Sequence, residues 1–325
     1  MKLVSFLKDP IRTPLDPDLA RLGALLPDGR ILDFATADLR FEDLTAVDFI
    51  RDIEALGPWI AELLAAPAGL PNAIVSPEHV ALLAPVPRPI SMRDGYAFRQ
   101  HVETARRNRG LAMIPEFDLF PVFYFTNHRT VVGPGELRVG RERLDHLDFE
   151  LEAFVVIGKT VTNPTLEEAD DAIFGYGVMN DFSARTLQME EMKLNLGPAK
   201  GKDFATGLGP WLVTKDELRD RLLASPRGNV YSGRMTAHVN GIQVSEGDVS
   251  QMNWTFAELV RRAGDGVTLV AGEVIGSGTV GTGCFLELNG SKITSDQWLH
   301  PGDTVSLAIE GLGTLTNTIV EDPSR

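Results

Sequence analysis

The sequence predicts an α+β fold that is mainly β, with a mixed β-sandwich or β-roll domain of residues 86–325 behind a small N-terminal domain of residues 1–85. Three observations predict this division. A chain of 325 residues exceeds the size, about 250–300 residues, at which a single core stops growing. Six prolines crowd positions 67–89, where regular structure cannot run through. Beyond that segment, short apolar runs typical of strands outnumber amphipathic helical stretches.

Local patterns predict the individual elements. Clustered or alternating β-branched and aromatic residues indicate strands. They fall at 3–7, 31–34, 149–156, 174–179, 235–239, 284–288 and 304–309. One helix is predicted over 46–66 from apolar residues at helical spacing. A second begins at Thr165, because Glu168 three residues later completes a capping box. A third runs from Ser183, its predicted N-cap, to about residue 193.

The amino-acid composition predicts which partners and which cellular location to expect. A formal net charge of −14 repels nucleic acid and anionic membranes, so neither is expected as a partner. No apolar run approaches the roughly 18 residues that a spanning helix needs, and the N-terminus does not resemble a signal peptide. The one cysteine, Cys284, excludes an internal disulfide and is interpreted as a small core residue. These features predict a soluble, cytoplasmic protein.

An acidic strand carries the strongest functional signal. Glu150 and Glu152 are separated by one apolar residue, and side chains two positions apart on a strand share a face. By itself the pattern fits a strand with its acids toward water. The strand continues through 154–157, which is apolar on both faces. Two carboxylates beside a buried run need a cation to offset their desolvation.

Two further acids lie where they could complete a metal site. Asp181 ends an apolar strand, and Asp94 precedes Gly95 just after the proline-rich segment. Taken alone, Asp181 could cap the helix that follows it, and Asp94 could be a turn residue. Taken with Glu150 and Glu152, they predict an all-oxygen site. Such a site selects a hard cation, Mg²⁺ first and Mn²⁺ or Ca²⁺ as alternatives.

Together these segments resemble the fumarylacetoacetate hydrolase family, in which a small N-terminal domain precedes a mixed β-roll catalytic domain. The resemblance is close over residues 85–290 and loose before them. It rests on residues 94–101, 147–152, 179–185 and 285–288, and on Gly201 with Lys202 and Gly278 with Thr279. It implies a fumarylacetoacetase-type catalytic domain over 86–325 and a homodimer formed through that domain.

The resemblance also implies a role for each matching residue. Asp94, Glu150, Glu152 and Asp181 would bind the metal; His101 would be the general base, oriented by Glu287; Lys202, Gln188 and Arg185 would meet charge on the attacked oxygen; Tyr96, Tyr124 and Thr279 would bind substrate. An imidazole suits the base because it changes protonation state near neutral pH. Without the resemblance, His101 reads as a solvated helix residue, Glu287 as a surface acid on a strand, and Tyr124 as core. Lys200 could replace Lys202.

The implied reaction is hydrolytic C–C cleavage of a 1,3-diketo acid in aromatic-compound catabolism. At residues 126–129 and at Thr104, this sequence differs from the smaller acylpyruvate-cleaving and decarboxylating members of the family. These differences favour the fumarylacetoacetase-like branch. Met192 stands where a substrate-binding tyrosine is expected, and the loop at 279–284 is shorter, so the fumaryl end need not be recognised. Two alternatives stay open. One is a metal-dependent lyase, either a 2-oxo-acid decarboxylase or a sugar-acid dehydratase; the other is a non-catalytic acid-binding module.

Overall fold

Strands dominate the framework of the protein. The computed structural model describes residues 1–8 and 16–324. The strands are β1 (Lys2–Leu7), β2 (Arg21–Leu25), β3 (Ile31–Asp33), β4 (Ile74–Val75), β5 (Ala81–Leu82), β6 (Met92–Gly95), β7 (Phe123–Thr126), β8 (Val131–Val132), β9 (Gly135–Val139), β10 (Leu147–Asp148), β11 (Leu151–Ile157), β12 (Val161–Thr162), β13 (Ile173–Asp181), β14 (Ser183–Ala184), β15 (Thr206–Thr214), β16 (Leu222–Leu223), β17 (Val230–Tyr231), β18 (Arg234–Val239), β19 (Ile242–Asp248), β20 (Thr268–Leu269), β21 (Val274–Gly276), β22 (Thr304–Ile309) and β23 (Gly313–Glu321).

The helices are short and lie between the strands. They are α1 (Phe34–Ala37), α2 (Ala46–Arg51), α3 (Ile53–Ala65), α4 (Arg99–Asn108), α5 (Leu166–Asp171), α6 (Arg185–Glu191), α7 (Phe256–Ala263) and α8 (Phe285–Gly290). In the part of the chain that the structure describes, none of them is long and apolar enough to cross a bilayer.

Two mixed sheets organise these elements. The larger has the order β4-β3-β2-β1-β15-β13-β11-β21-β6-β7, with β5 on β1 and β8 on β15. The smaller has the order β19-β18-β22-β23-β9. Because β1 pairs with β15, strands from before residue 85 join the same sheet as strands after it. The boundary between domains 1–85 and 86–325 stays a prediction.

The centre of the larger sheet is buried on both faces. Along β11, Leu151 and Val155 pack with residues of the smaller sheet such as Leu307. The alternate positions, including Phe154, pack against α2 and the N-terminal strands, where Phe49 is fully buried. A strand covered on both faces reads as a continuous apolar run, which is the pattern of residues 154–157. This sandwich fixes the orientation of every side chain at the end of β11.

The predicted α+β, mainly β fold is confirmed, and several predicted elements match closely. The strand at 304–309 and the capping box between Thr165 and Glu168 are observed as expected. The helix predicted over 46–66 is interrupted at Asp52, where α2 ends and α3 begins. Helices α4 and α7 lie in the region where the sequence predicted mostly strands.

Two predictions about local structure are wrong. The strand predicted at 284–288 is helix α8, because the carboxylate of Asp148 accepts the backbone N–H groups of Phe285 and Leu286 and so caps a helical turn. Ser183 does not cap α6; its hydroxyl donates to the carbonyl of Asp181, and it belongs to the short strand β14. Alternation over four residues does not distinguish a strand from a buried helical turn.

Gly177 on β13 tests how tightly the central sheet is packed. A Cβ at this position would lie 2.3 Å from Cε1 of Phe154, its cross-strand neighbour. We expect Gly177→Ala to lower the free energy of unfolding by about 1–3 kcal/mol, because a buried ring must shift. Gly69→Ala is the matched control, since a Cβ there meets nothing within 4 Å. Denaturant unfolding of both variants measures the difference; equal stabilities would contradict the packing described.

Candidate metal and catalytic site

Four carboxylates meet at one end of the central strands. Asp94 lies on β6, Glu152 on β11 and Asp181 at the end of β13, while Glu150 directly precedes β11. A carboxylate oxygen from each of the four lies within 4.8 Å of the others. All four are buried, with at most 6% of any residue exposed.

The period of the strands explains why these acids converge. Side chains two positions apart on a strand share a face of the sheet. Asp94 therefore lies on the same face as Met92, Glu152 on that of Phe154 and Asp181 on that of Met179. This face packs toward the N-terminal elements. Gly276 on β21, between β11 and β6, keeps the centre open: a Cβ there would lie 2.4 Å from Oδ1 of Asp94. The carboxylates therefore form a polar extension of an apolar core.

The cluster has the properties of a hard-cation site. Oε2 of Glu152 and Oδ1 of Asp181 are buried and have no hydrogen-bond partner among the described residues. Unpaired buried carboxylate oxygens are costly, and a cation removes that cost. Every candidate ligand is an oxygen, which suits Mg²⁺, Mn²⁺ or Ca²⁺ rather than zinc. The residues thus fit a divalent metal.

Crowding changes the protonation of the cluster. Burial, followed by the charge of Asp181, raises the pKa of Asp94 to about 7. Burial and then the charge of Asp94 raise the pKa of Glu152 well above its usual range. Burial also raises the pKa of Asp181. Glu150 differs: burial opposes its ionisation, but the Lys202 ammonium and the Arg185 guanidinium outweigh it and hold the pKa below the usual range. The metal-free cluster therefore retains protons.

Lys202 supplies a positive charge at the cluster. Its ammonium donates to Oε2 of Glu150 at 2.7 Å and to Oδ2 of Asp181 at 2.6 Å. Burial alone would lower the pKa of Lys202, but these two carboxylates raise it, so the side chain is charged. Lys200 is exposed and pairs with Asp203. The structure thus brings Lys202, and not Lys200, to the site.

Arg185 is held by three neighbours. Its guanidinium donates to Oδ2 of Asp148, to Oε1 of Glu150 at 2.8 Å, and to Oε1 of Gln188 at 2.9 Å. Because Gln188 accepts through its carbonyl oxygen, its amide N–H groups remain as donors. Arg185 has most of its donors occupied, so it acts on the site chiefly by holding Glu150 and Gln188.

A histidine–glutamate pair lies beside the carboxylates. Nδ1 of His101 on α4 is 2.6 Å from Oε2 of Glu287 on α8, and both side chains are buried. The contact favours a proton on Nδ1 and leaves the lone pair of Nε2 free. A ligand atom of His101 also lies within 4.8 Å of one from Glu150. The pair can therefore move a proton next to a bound metal.

The three predicted substrate residues all lie at the site but make different contacts. The Tyr124 hydroxyl donates to Oδ2 of Asp181, and Thr279 donates to Oε1 of Glu152 at 3.3 Å. The ring of Tyr96 packs edge-on against His101, with centroids 5.9 Å apart. Tyr124 and Thr279 therefore hold candidate metal ligands in place. Their contacts with a substrate stay predictions.

Two residues that support the site were not predicted from the sequence. Asp148 accepts the guanidinium of Arg185 and caps α8, so one carboxylate holds both the cluster and the helix that carries Glu287. Glu191 accepts the backbone N–H groups of residues 199–201, which lead directly into Lys202. Most of their partners are backbone N–H groups, 8–10 residues away for Glu191 and 137–138 residues away for Asp148, and the sequence pattern does not mark such contacts.

Comparison with known proteins assigns the chain to a family. The C-terminal domain of fumarylacetoacetate (FAA) hydrolase matches residues 91–320. This chain belongs to that family. The matched segment contains all four carboxylates, His101 and Glu287.

Relatives in the fumarylacetoacetate hydrolase family catalyse different reactions. Oxaloacetate tautomerase YisK of Bacillus subtilis is 31% identical over 315 residues, which are 92% of this chain and 95% of that protein. The 4-hydroxyphenylacetate degradation bifunctional isomerase/decarboxylase of Salmonella dublin is 27% identical over 313 residues, 89% of this chain and 66% of that protein. Family membership therefore shows a metal-dependent enzyme family but leaves the reaction open.

A solved structure shares the fold over the whole chain. Maleylpyruvate hydrolase from Sphingobium sp. SYK-6, in complex with manganese(II) and pyruvate, superposes with a TM-score of 0.70 at 22% identity, covering 99% of each chain. The bound manganese belongs to that protein. In this chain, the four-carboxylate cluster is the candidate site for a divalent metal.

Metal binding to the cluster should release protons. Because the pKa of Asp94 is raised to about 7, this carboxyl is neutral in the metal-free protein below that pH and must ionise to bind a cation. We expect Mn²⁺ binding to release more protons at about pH 6 than at about pH 8, measured by titration calorimetry in buffers of different ionisation enthalpy. Equal proton release at both values would contradict the raised pKa.

The same shift predicts the stability of the metal-free protein. An acid whose pKa is raised on folding favours the folded state below its unfolded value, and this contribution is lost as pH rises through the folded value. The melting temperature without metal should therefore fall between about pH 5 and pH 7 relative to Asp94→Asn, which cannot ionise. Saturating Mn²⁺ should reverse the fall in the wild-type protein.

Glu191 should control the loop that precedes Lys202. We expect Glu191→Gln to speed amide hydrogen exchange of residues 199–201 on the order of tenfold, because a neutral amide offers one acceptor oxygen in place of two charged ones. Glu190→Gln is the matched control, since it removes the same charge from an exposed neighbour. Unchanged exchange in Glu191→Gln would show that the loop is held by other contacts.

Proposed function

We propose that this protein is a divalent-metal-dependent hydrolase that cleaves a C–C bond of a 1,3-diketo acid with water activated by His101. The His101–Glu287 pair beside the carboxylate cluster is the observation that carries the proposal. A metal site alone could serve many reactions. A buried base next to it supports chemistry in which a proton is removed from water or from a carbon acid.

The metal and the base have separate tasks. A divalent metal held by Asp94, Glu150, Glu152 and Asp181 would act as a Lewis acid, polarising a carbonyl group and favouring negative charge on oxygen. His101 takes a proton from water at Nε2 while Glu287 holds Nδ1–H and stabilises the imidazolium. The proton gained by His101 can then pass to the departing carbon.

Two groups can meet the oxyanion that forms on the attacked carbonyl. Lys202 carries a positive charge within hydrogen-bond distance of two candidate metal ligands. Arg185 donates to the oxygen of the Gln188 amide, which orients its N–H groups as donors. Donors fixed before the reaction stabilise such a charge without reorganising during it. Arg185 assists by fixing Gln188 and Glu150.

A second function is keto–enol tautomerisation of a small 2-oxo dicarboxylic acid. It is favoured by the relative named oxaloacetate tautomerase, which matches 92% of this chain. His101 would then move the proton between carbon and oxygen. A decarboxylase would use the same enolate.

Further parts of the proposal follow from the same site. The native metal is proposed to be Mg²⁺, and the substrate a small diketo or 2-oxo acid from breakdown of an aromatic compound. A homodimer in the cytoplasm is proposed as the working form. Neither nucleic acid nor membrane is proposed as a partner, given the formal net charge of −14.

One assay separates the candidate reactions. The purified protein is incubated in H₂¹⁸O with Mg²⁺ or Mn²⁺ and a panel of acylpyruvates, fumarylacetoacetate, oxaloacetate and 2-oxo-3-deoxy sugar acids. Hydrolysis gives two fragments, one with a single ¹⁸O in its new carboxylate. Tautomerisation changes the enol absorbance without fragmentation, and decarboxylation releases CO₂. Absence of turnover across the panel would refute the proposed function.

Two variants test the base. His101→Ala and Glu287→Gln should each lower turnover by about 10²–10⁴, because proton transfer loses its acceptor or its orientation. Neither residue belongs to the four-carboxylate cluster, so Mn²⁺ affinity at that cluster should be retained. His300→Ala, at an exposed histidine, is the matched control. Full activity of His101→Ala would remove His101 from the mechanism.

A further inference from the structure

A second group of metal-binding side chains adjoins the four carboxylates. Ligand atoms of His101, Glu150 and Cys284 all lie within 4.8 Å of one another. The three residues are buried, and Cys284 has no exposed surface. They come from α4, from the residue before β11, and from the N-cap of α8. One nitrogen, one oxygen and one sulfur donor thus meet at one point.

The donors of this group suit a different class of cation. Tetrahedral zinc sites combine imidazole nitrogen, thiolate sulfur and carboxylate oxygen, whereas Mg²⁺ and Ca²⁺ take oxygen ligands. The Glu287 contact at Nδ1 of His101 leaves Nε2 as the ring nitrogen that can bind a metal. Glu150 contributes a carboxylate that Lys202 and Arg185 contact. The nitrogen and oxygen donors are therefore of the kinds that zinc sites use.

The thiol determines which ions can bind. Cys284 is fully buried beside His101 and Glu150. A thiophilic ion can displace the thiol proton by forming a metal–sulfur bond, and one proton leaves for each ion bound. Mg²⁺ does not favour thiolate ligands. The three donors therefore favour soft, thiophilic cations over hard cations of the same charge.

We propose that His101, Glu150 and Cys284 form a second cation site for thiophilic divalent ions such as Zn²⁺ and Cd²⁺. An ion there occupies Nε2 of His101 and shares Glu150 with the four-carboxylate cluster. It must also displace Lys202 or Arg185 from one oxygen of Glu150. Zinc is consequently an inhibitor, and this consequence rests on the proposed role of His101 as base.

Cobalt spectroscopy tests the site without a substrate. Co²⁺ replaces zinc in such sites, and a thiolate ligand gives intense ligand-to-metal absorption in the near ultraviolet. We expect that absorption in the wild-type protein loaded with Mn²⁺ and then titrated with Co²⁺. It should be absent in Cys284→Ser, and His101→Ala should weaken cobalt binding at least tenfold. Wild-type protein without the thiolate band would overturn the proposal, whatever the variants do.

Inhibition forms the second arm of the test. Turnover of the Mn²⁺-loaded enzyme is measured against rising Zn²⁺, each variant relative to its own zinc-free rate. Cys284→Ser should need at least tenfold more Zn²⁺ than wild type for half inhibition, and Cys284→Ala should behave alike. Equal sensitivity of wild type and both variants would overturn zinc control through this site. If no substrate is turned over, the cobalt band still decides whether the site exists.

Discussion

The burial of four carboxylates at one end of the central sheet is the constraint on which the rest of the site depends. Like charges that share a site away from water cannot all ionise without a compensating cation. The protein supplies Lys202 and Arg185, and both touch Glu150, which alone of the four keeps a low pKa. Burial and the charges of their neighbours raise the pKa of the remaining three acids, which favours their protonated forms until a metal binds. Metal affinity, protonation and local stability are therefore one linked equilibrium.

Asp148 connects this equilibrium to His101, the proposed base. Its carboxylate accepts from Arg185, which holds Glu150, and from the first N–H groups of α8, which carries Glu287. Glu287 in turn orients His101. A chain of hydrogen bonds thus runs from the carboxylate cluster to His101 through one fully buried aspartate. The position of the proposed base and the geometry of the cluster are therefore coupled, as the proposed reaction requires.

Much of this arrangement could be predicted from the sequence. Glu150 and Glu152 are two positions apart, and the strand period alone predicts that their side chains share a face, as they do in the structure. The prediction of local secondary structure failed at 284–288. The alternation there does not reveal that Asp148, 137 residues away, caps a helix. Glu191 was missed for a related reason, since its acceptors serve backbone groups of a loop. Contacts between side chains of recognisable chemistry are predictable; contacts with backbone depend on tertiary placement.

In the proposed mechanism, the choice between hydrolysis and tautomerisation depends on what Nε2 of His101 faces. If water lies between the imidazole and the substrate carbonyl, the proposed base generates a nucleophile. If the substrate's own methylene group lies there, the same base removes a carbon-bound proton and no C–C bond breaks. Neither Lys202 nor the carboxylates distinguish the two cases, because both stabilise an enolate. The ring of Tyr96 packs edge-on against His101 and so borders the imidazole at which the two cases would differ. A family with one metal site can therefore contain hydrolases, decarboxylases and tautomerases.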